Sequence, residues 1–80
     1  MARVVFSSAQ RKLVDGDESV ELEARRVVDL LRALYARYPK LDGQLDNAAV
    51  AIDGDVYNDA LFQALEPDSE VHFVGQVSGG

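Results

Sequence analysis

The chain is 80 residues long, which makes one domain, and a domain of that size buries only about 60% of the surface its unfolded chain exposes. So thin a core leaves little room for a deep substrate pocket, which favours a binding or carrier module over a free-standing enzyme. A net charge of −6 argues against nucleic acid, which rewards clustered Lys and Arg, and disfavours an anionic membrane surface, while partners with basic or mixed surfaces would be steered in faster.

Arg3 to Ser7 is a short β-branched and aromatic run and reads as a strand, with Val4 and Phe6 on one face and Val5 on the other. Ala9 to Val14 reads as an irregular return. Asp15-Gly16 then supplies the positive φ that a tight hairpin requires. Ser19 to Glu23 alternates, with Val20 and Leu22 sharing a face. Arg25 to Tyr38 has helical period: Val27, Leu30, Leu31 and Leu34 recur at three- and four-residue steps, and Arg26, Asp29, Arg32 and Arg37 lie mostly on the other side. Pro39 ends this helix, because it cannot donate to the next turn and restricts Tyr38 before it. At ~1.5 Å per residue the helix spans about 20 Å, enough to cross one face of a small sheet.

Lys40 to Asn47 is polar with a glycine and reads as a connection or a single turn. Ala48 to Ile52 is a strand, Asp53-Gly54-Asp55 a second Asp-Gly turn, and Val56-Tyr57 a short return. Asn58 to Leu65 reads as either a brief helical turn or an irregular crossover. A turn around Pro67 leads into the last strand, Glu70 to Val74, with Val71 and Phe73 on one face and His72 and Val74 on the other. Residues 1–74 form the domain; Gly75 to Gly80 has no core pattern and reads as an extended tail. The order β-β-α-β-(β)-β makes an α+β protein, a mixed sheet packed on one main helix. That is the β-grasp, or ubiquitin-like, arrangement, and it leaves the other sheet face open to solvent or to a partner.

Leu65-Glu66-Pro67-Asp68-Ser69-Glu70-Val71-His72-Phe73, followed by Val77-Ser78-Gly79-Gly80, resembles the MoaD/ThiS family of ubiquitin-like sulfur carriers. The shared pattern is a leucine, a short acidic turn, an apolar strand and a segment ending Val-Ser-Gly-Gly. The helix followed by Pro39 and Leu41, the opening Val4-Val5-Phe6 and the stretch Ala49 to Gly54 are similar to the branch that holds the small subunit of molybdopterin synthase. The family often has two prolines where this chain has Gly75 and Gln76, which implies a more flexible tail here.

The resemblance implies a role for Gly80 that its chemistry allows. An α-carboxyl titrates near 3.3–3.7, so the group is ionised at neutral pH. A carboxylate is a poor electrophile, but it can attack the α-phosphorus of ATP to give an acyl-adenylate. Sulfide or a persulfide then displaces AMP and leaves a thiocarboxylate. ATP, magnesium and catalysis belong to a ubiquitin-activating-type adenylating enzyme, and no cofactor is expected on this chain. A sulfur donor and the large subunit of molybdopterin synthase are the other partners implied. Gly79 and Gly80 have no Cβ to obstruct a narrow active-site entry. Fully extended, residues 75–80 would reach about 20 Å.

Several other features are weaker signals. His72 is the only histidine and has no second His or Cys to share a metal, so it reads as an exposed strand residue. Asp15/Asp17 and Asp53/Asp55 lack the ligand series of a calcium loop. Ser7, Ser8 and Ser69 have no base partner that the sequence places near them. Val5, Phe62 and Val74, with Val77 and Ser78 of the tail, are the expected partner-binding residues, provided the helix covers the opposite face of the sheet; the alternative for Phe62 is that it closes the edge of the core. The absence of cysteine excludes disulfides and a thiolate nucleophile and fits the cytoplasm. No apolar run approaches the roughly 18 residues of a membrane span, and the N-terminus has no signal-peptide core. Two other classes stay open: a protein modifier that joins Gly80 to target lysines, and an interaction module whose tail is inert. Carriers for thiamine or tRNA thiolation share the same ending as the molybdopterin carrier.

Overall fold

Alternating burial gives each of the three inner strands one core-facing side. A computed structural model describes residues 1–74 of the chain. The strands are β1 (Ala2–Val5), β2 (Ser19–Leu22), β3 (Ala49–Ile52), β4 (Asp55–Tyr57) and β5 (Glu70–Val74). They form one sheet in the order β2-β1-β5-β3-β4. β1 and β5 are parallel; the other neighbours are antiparallel. This is the expected mixed sheet of the β-grasp.

The main helix α2 (Val27–Arg37) crosses one face of the sheet. Its buried residues are Val27, Leu30, Leu31 and Leu34, the stripe that the period predicts. They pack against Val4, Val50, Val71 and Phe73 from the sheet in one core. Arg26 gives α2 no side-chain cap. Backbone carbonyls satisfy its first turn instead: the Val27 N–H donates to Gln63 at 3.1 Å and the Val28 N–H to Leu61 at 2.8 Å. Of the two readings of residues 58–65, the irregular crossover is therefore the observed one. Its carbonyls are committed to α2, and Arg26 bridges to Ala64.

The structure corrects two local expectations. The return from β1 is not irregular throughout, because Ser8–Arg11 forms a one-turn helix, α1. Ser7 caps it reciprocally with Gln10: the Gln10 N–H donates to Ser7 Oγ at 3.2 Å and the Ser7 N–H donates to Gln10 Oε1 at 2.9 Å. The β1–β2 connection is therefore a capped helical turn followed by Asp15 and Gly16, both at positive φ, and not a tight hairpin. Of the two readings of the stretch from Lys40, the turn is the observed one. Pro39–Leu41 is a 3-10 turn, and Leu41 and Leu45 both enter the core.

The second Asp-Gly element behaves as expected. Ile52 pairs with Asp55, leaving Asp53 (φ 50°) and Gly54 (φ 93°) as a two-residue loop with both residues left-handed. Asp53 also ties this hairpin to β5, accepting from the Glu70 N–H on Oδ1 at 2.9 Å while its own N–H donates to the Glu70 carbonyl.

Candidate functional site

Because α2 covers one face of the sheet, the other is open. Register assigns its residues. Val5 pairs with His72, His72 with Ala51, and Ala51 with Val56, so one row crosses β1, β5, β3 and β4. Val74 pairs with Ala49 one step further along β5. Val56 is 63% exposed and Val74 50%, while Val5, Ala49, Ala51 and His72 are half-buried. The result is a small apolar surface with an imidazole near its centre. His72 Nε2 lies 3.1 Å from Glu70 Oε2. Glu70 pairs in register with Arg3, and Arg3 with Glu21, so charge borders the apolar row on the side away from Val74.

The expected partner-binding residues divide in space. Val5 and Val74 share the open face, although Val5 is half-buried instead of exposed because β2 and β5 flank it. Phe62 is 74% exposed but does not join them. It lines a pocket of about 340 Å³ with Val27, Leu31, Val50, Leu61 and Phe73, on the helix side of the sheet. The physical reason is the crossover: residues 61 and 63 bond to the start of α2, which carries Phe62 to the helix layer. Val56, Ala49 and Ala51 are face residues that sequence reasoning missed. Alternation in Ala48–Ile52 marks a face, but only the β3–β4 register brings Val56 beside it.

Val77, Ser78, Gly79 and Gly80 lie outside the described residues, as does the expected effect of Gly75-Gln76 on the tail. Val74, at the end of β5, is the last described position before them. β5 is an inner strand, held by β1 on one side and β3 on the other.

The groups with shifted proton affinity lie on the last turn of α2 and at its C-cap, away from this face. Burial, and then the hydrogen bond to Asp46 Oδ1 at 2.8 Å, raises the Tyr35 phenol well above the usual tyrosine range. Burial and the hydrogen bond to Asp17 at 2.8 Å raise Tyr38. Among the described residues there is no cluster of His, Asp or Glu that could hold a metal, and no helix is long and apolar enough to cross a membrane.

This topology defines a β-grasp, ubiquitin-like protein. The sequence model of the ThiS family matches residues 4–80, and the chain belongs to that family. Its fold is similar to a chain of the Amycolatopsis orientalis BexX/CysO complex, with a TM-score of 0.85 at 16% identity over 100% of both chains. It is also similar to small archaeal modifier protein 1 of Methanosarcina acetivorans, with a TM-score of 0.83 at 21% identity over 99% of this chain and 95% of that one. A third likeness is to a putative molybdopterin converting factor, subunit 1, of Pyrococcus furiosus, with a TM-score of 0.68 at 22% identity over 91% and 93%. No curated protein matches the chain by sequence. The chain is thus a β-grasp member of the ThiS family of ubiquitin-like sulfur carriers.

Proposed function

We propose that this protein is a sulfur carrier that works through the α-carboxylate of Gly80. The observation that supports it most directly is the family match, which runs through Val77-Ser78-Gly79-Gly80 to residue 80. A partner of the ubiquitin-activating type supplies ATP and magnesium. One carboxylate oxygen of Gly80 attacks the α-phosphorus and pyrophosphate leaves. Hydrosulfide then attacks the carbonyl carbon of the acyl-adenylate, the C–O bond to AMP breaks, a proton is lost and a thiocarboxylate remains. Where the donor is a persulfide, the first product is an acyl disulfide, and a thiol must split it to release the thiocarboxylate. This chain contributes no catalytic group to these steps. It contributes the carboxylate, the bare Gly79-Gly80 approach and the docking surface.

The acceptor we favour is the molybdopterin precursor, with this chain as the small subunit of the synthase. The pattern of Arg25–Tyr38, Pro39 and Leu41 supports that branch, as does the fold shared with the Pyrococcus furiosus protein. A protein modifier joined through Gly80 to lysines is the second reading, favoured by the fold shared with small archaeal modifier protein 1. Val5, Val56 and Val74 dock the partner, with Phe62 as a separate contact on the helix side. The protein works in the cytoplasm, where a thiocarboxylate meets reduced sulfur donors.

Intact mass of the protein from its native cells tests this directly. Exchange of one oxygen for sulfur adds about 16 Da, and iodoacetamide traps the product at Gly80. High-mass conjugates through Gly80 would move the assignment to modifier. Gly79→Ala, or one residue added after Gly80, is expected to abolish adenylation while leaving the fold intact; normal adenylation of either variant would refute the reading.

A further inference from the structure

The side chain of Gln10 completes the sheet where β1 runs out. The Arg3 N–H donates to the Ser69 carbonyl at 2.8 Å, and the Phe6 N–H donates to Glu18 on the β2 side at 2.9 Å. Alternation therefore aims the N–H groups of residues 3, 5 and 7 at β5. The parallel register, Arg3 to Glu70 and Val5 to His72, advances the acceptors in step: Ser69, Val71, then Phe73. The next rung should join the Ser7 N–H to the Phe73 carbonyl. Neither group makes that bond. The Ser7 N–H donates to Gln10 Oε1 at 2.9 Å, and Gln10 Nε2 donates to the Phe73 carbonyl at 2.8 Å. The amide of Gln10 is inserted between the two like an extra peptide unit.

The partners also fix the orientation of that amide, since its oxygen meets a donor and its nitrogen an acceptor. Gln10 is 6% exposed, and only it and Ser69 are buried polar residues among those described. The bond spans 63 residues of sequence and ends one residue before Val74. On the other edge of β5, Val74 pairs with Ala49. The end of β5 is thus held from both sides, by β3 through main chain and by α1 through one side chain.

We propose that Gln10 is a positioning residue for the Gly80 carboxylate: its clamp on Phe73 holds the end of β5, and so helps to set where that carboxylate arrives in a docked activating enzyme. The proposal rests on the carrier reading above. Gln10 does not touch the reacting atoms. The open face governs docking, so the clamp governs delivery, and loss of it is read in kcat and not in KM. Small displacements of a reacting group cost rate steeply.

Two variants separate the clamp from the cap. Gln10→Glu keeps the acceptor for the Ser7 N–H, as capping boxes do with either residue, but loses the donor to Phe73. Gln10→Met keeps the length and shape, loses both bonds, and carries no charge into a buried site. Each is assayed for adenylation, by pyrophosphate release, with the ubiquitin-activating-type enzyme of the cells that make this protein. Amide hydrogen exchange at Val74 and at Val4 is followed in parallel. The expected result is a kcat lowered about tenfold or more in both variants with KM unchanged. Val74 should exchange faster while Val4, in the centre of the sheet, does not. Unchanged kcat with an active wild type overturns the clamp and leaves the carrier reading standing. A raised KM at constant kcat overturns it too, since that is a docking defect. Wild-type protein that the enzyme never adenylates fails the carrier reading itself, and the positioning role with it.

Discussion

Replacing Val56 and Val74 with serine tests whether the open face docks the activating partner. Val56 is 63% exposed and Val74 50%, so docking has about that fraction of each side chain still to cover. Complete burial of a valine is worth ~1.5–3 kcal/mol. The remaining fractions are then worth about 1 kcal/mol each and about 2 kcal/mol together, which corresponds to a factor of about 30 in affinity. Folding loses far less, because the two side chains already face solvent: about 1 kcal/mol for the pair, or roughly 4–8 °C in Tm for a domain this small. The assay is adenylation of the double variant at increasing carrier concentration, with thermal unfolding alongside. KM should rise about 30-fold at constant kcat. Arg32→Ser, on the exposed side of α2, is the control and should change neither. A double variant whose KM stays within threefold of wild type refutes the assignment of this face.

Leu34 is fully buried beneath α2, and Leu34→Ala should cost about 3 kcal/mol and lower Tm by more than 10 °C; a drop under 5 °C in calorimetry would show that the core re-forms around the gap. A Cβ at Gly54 would touch nothing within 4 Å, so Gly54→Ala tests backbone strain alone at φ 93°. It should lose about 1 kcal/mol in denaturant titration, and an unchanged midpoint would remove the left-handed turn from the account. Tyr35 and Tyr38 hold their protons more tightly folded than unfolded. Their contribution is therefore complete below the usual tyrosine value of about 10 and is lost as pH rises above it. Stability measured across pH 9 to 11.5 should fall in wild type and flatten in the Tyr35→Phe, Tyr38→Phe double variant; equal slopes would refute that source.

The elements legible in the sequence are those whose residues repeat. Val27, Leu30, Leu31 and Leu34 announce a helix face by period alone, and Val71 and Phe73 announce a strand face. Asp53-Gly54 is legible because both positions need positive φ, which few residues tolerate. What escaped lacks period. α1 is one turn long, so only the spacing of Ser7 and Gln10 betrays it. Leu41 and Leu45 reach the core from a 3-10 turn and a loop, where no repeat marks the buried side. Phe62 shares with Val5 and Val74 only its apolar character. Its true side depends on carbonyls at 61 and 63 that serve α2, a pairing that no local pattern encodes. The chemistry proposed for Gly80 rests on different ground, residue identity and the family match, and involves no packing.

The position of β5 in the sheet joins recognition to chemistry. Its side chains at 71 and 73 are core and those at 72 and 74 belong to the open face, so a slip of one residue would exchange the two sets. The same slip would move the start of residues 75–80 by ~3.3 Å, more than a reacting carboxylate tolerates. On the proposed function, affinity for a partner and placement of the terminal group therefore depend on one register. An edge strand would hold that register through a single ladder. β5 holds it through β1 and β3, and Gln10 extends the β1 side to Phe73, the last rung before the segment begins. On the proposed function the reactive atom of Gly80 has to be delivered at a defined distance from the open face, and the inner strand is the element of this fold that can define that distance.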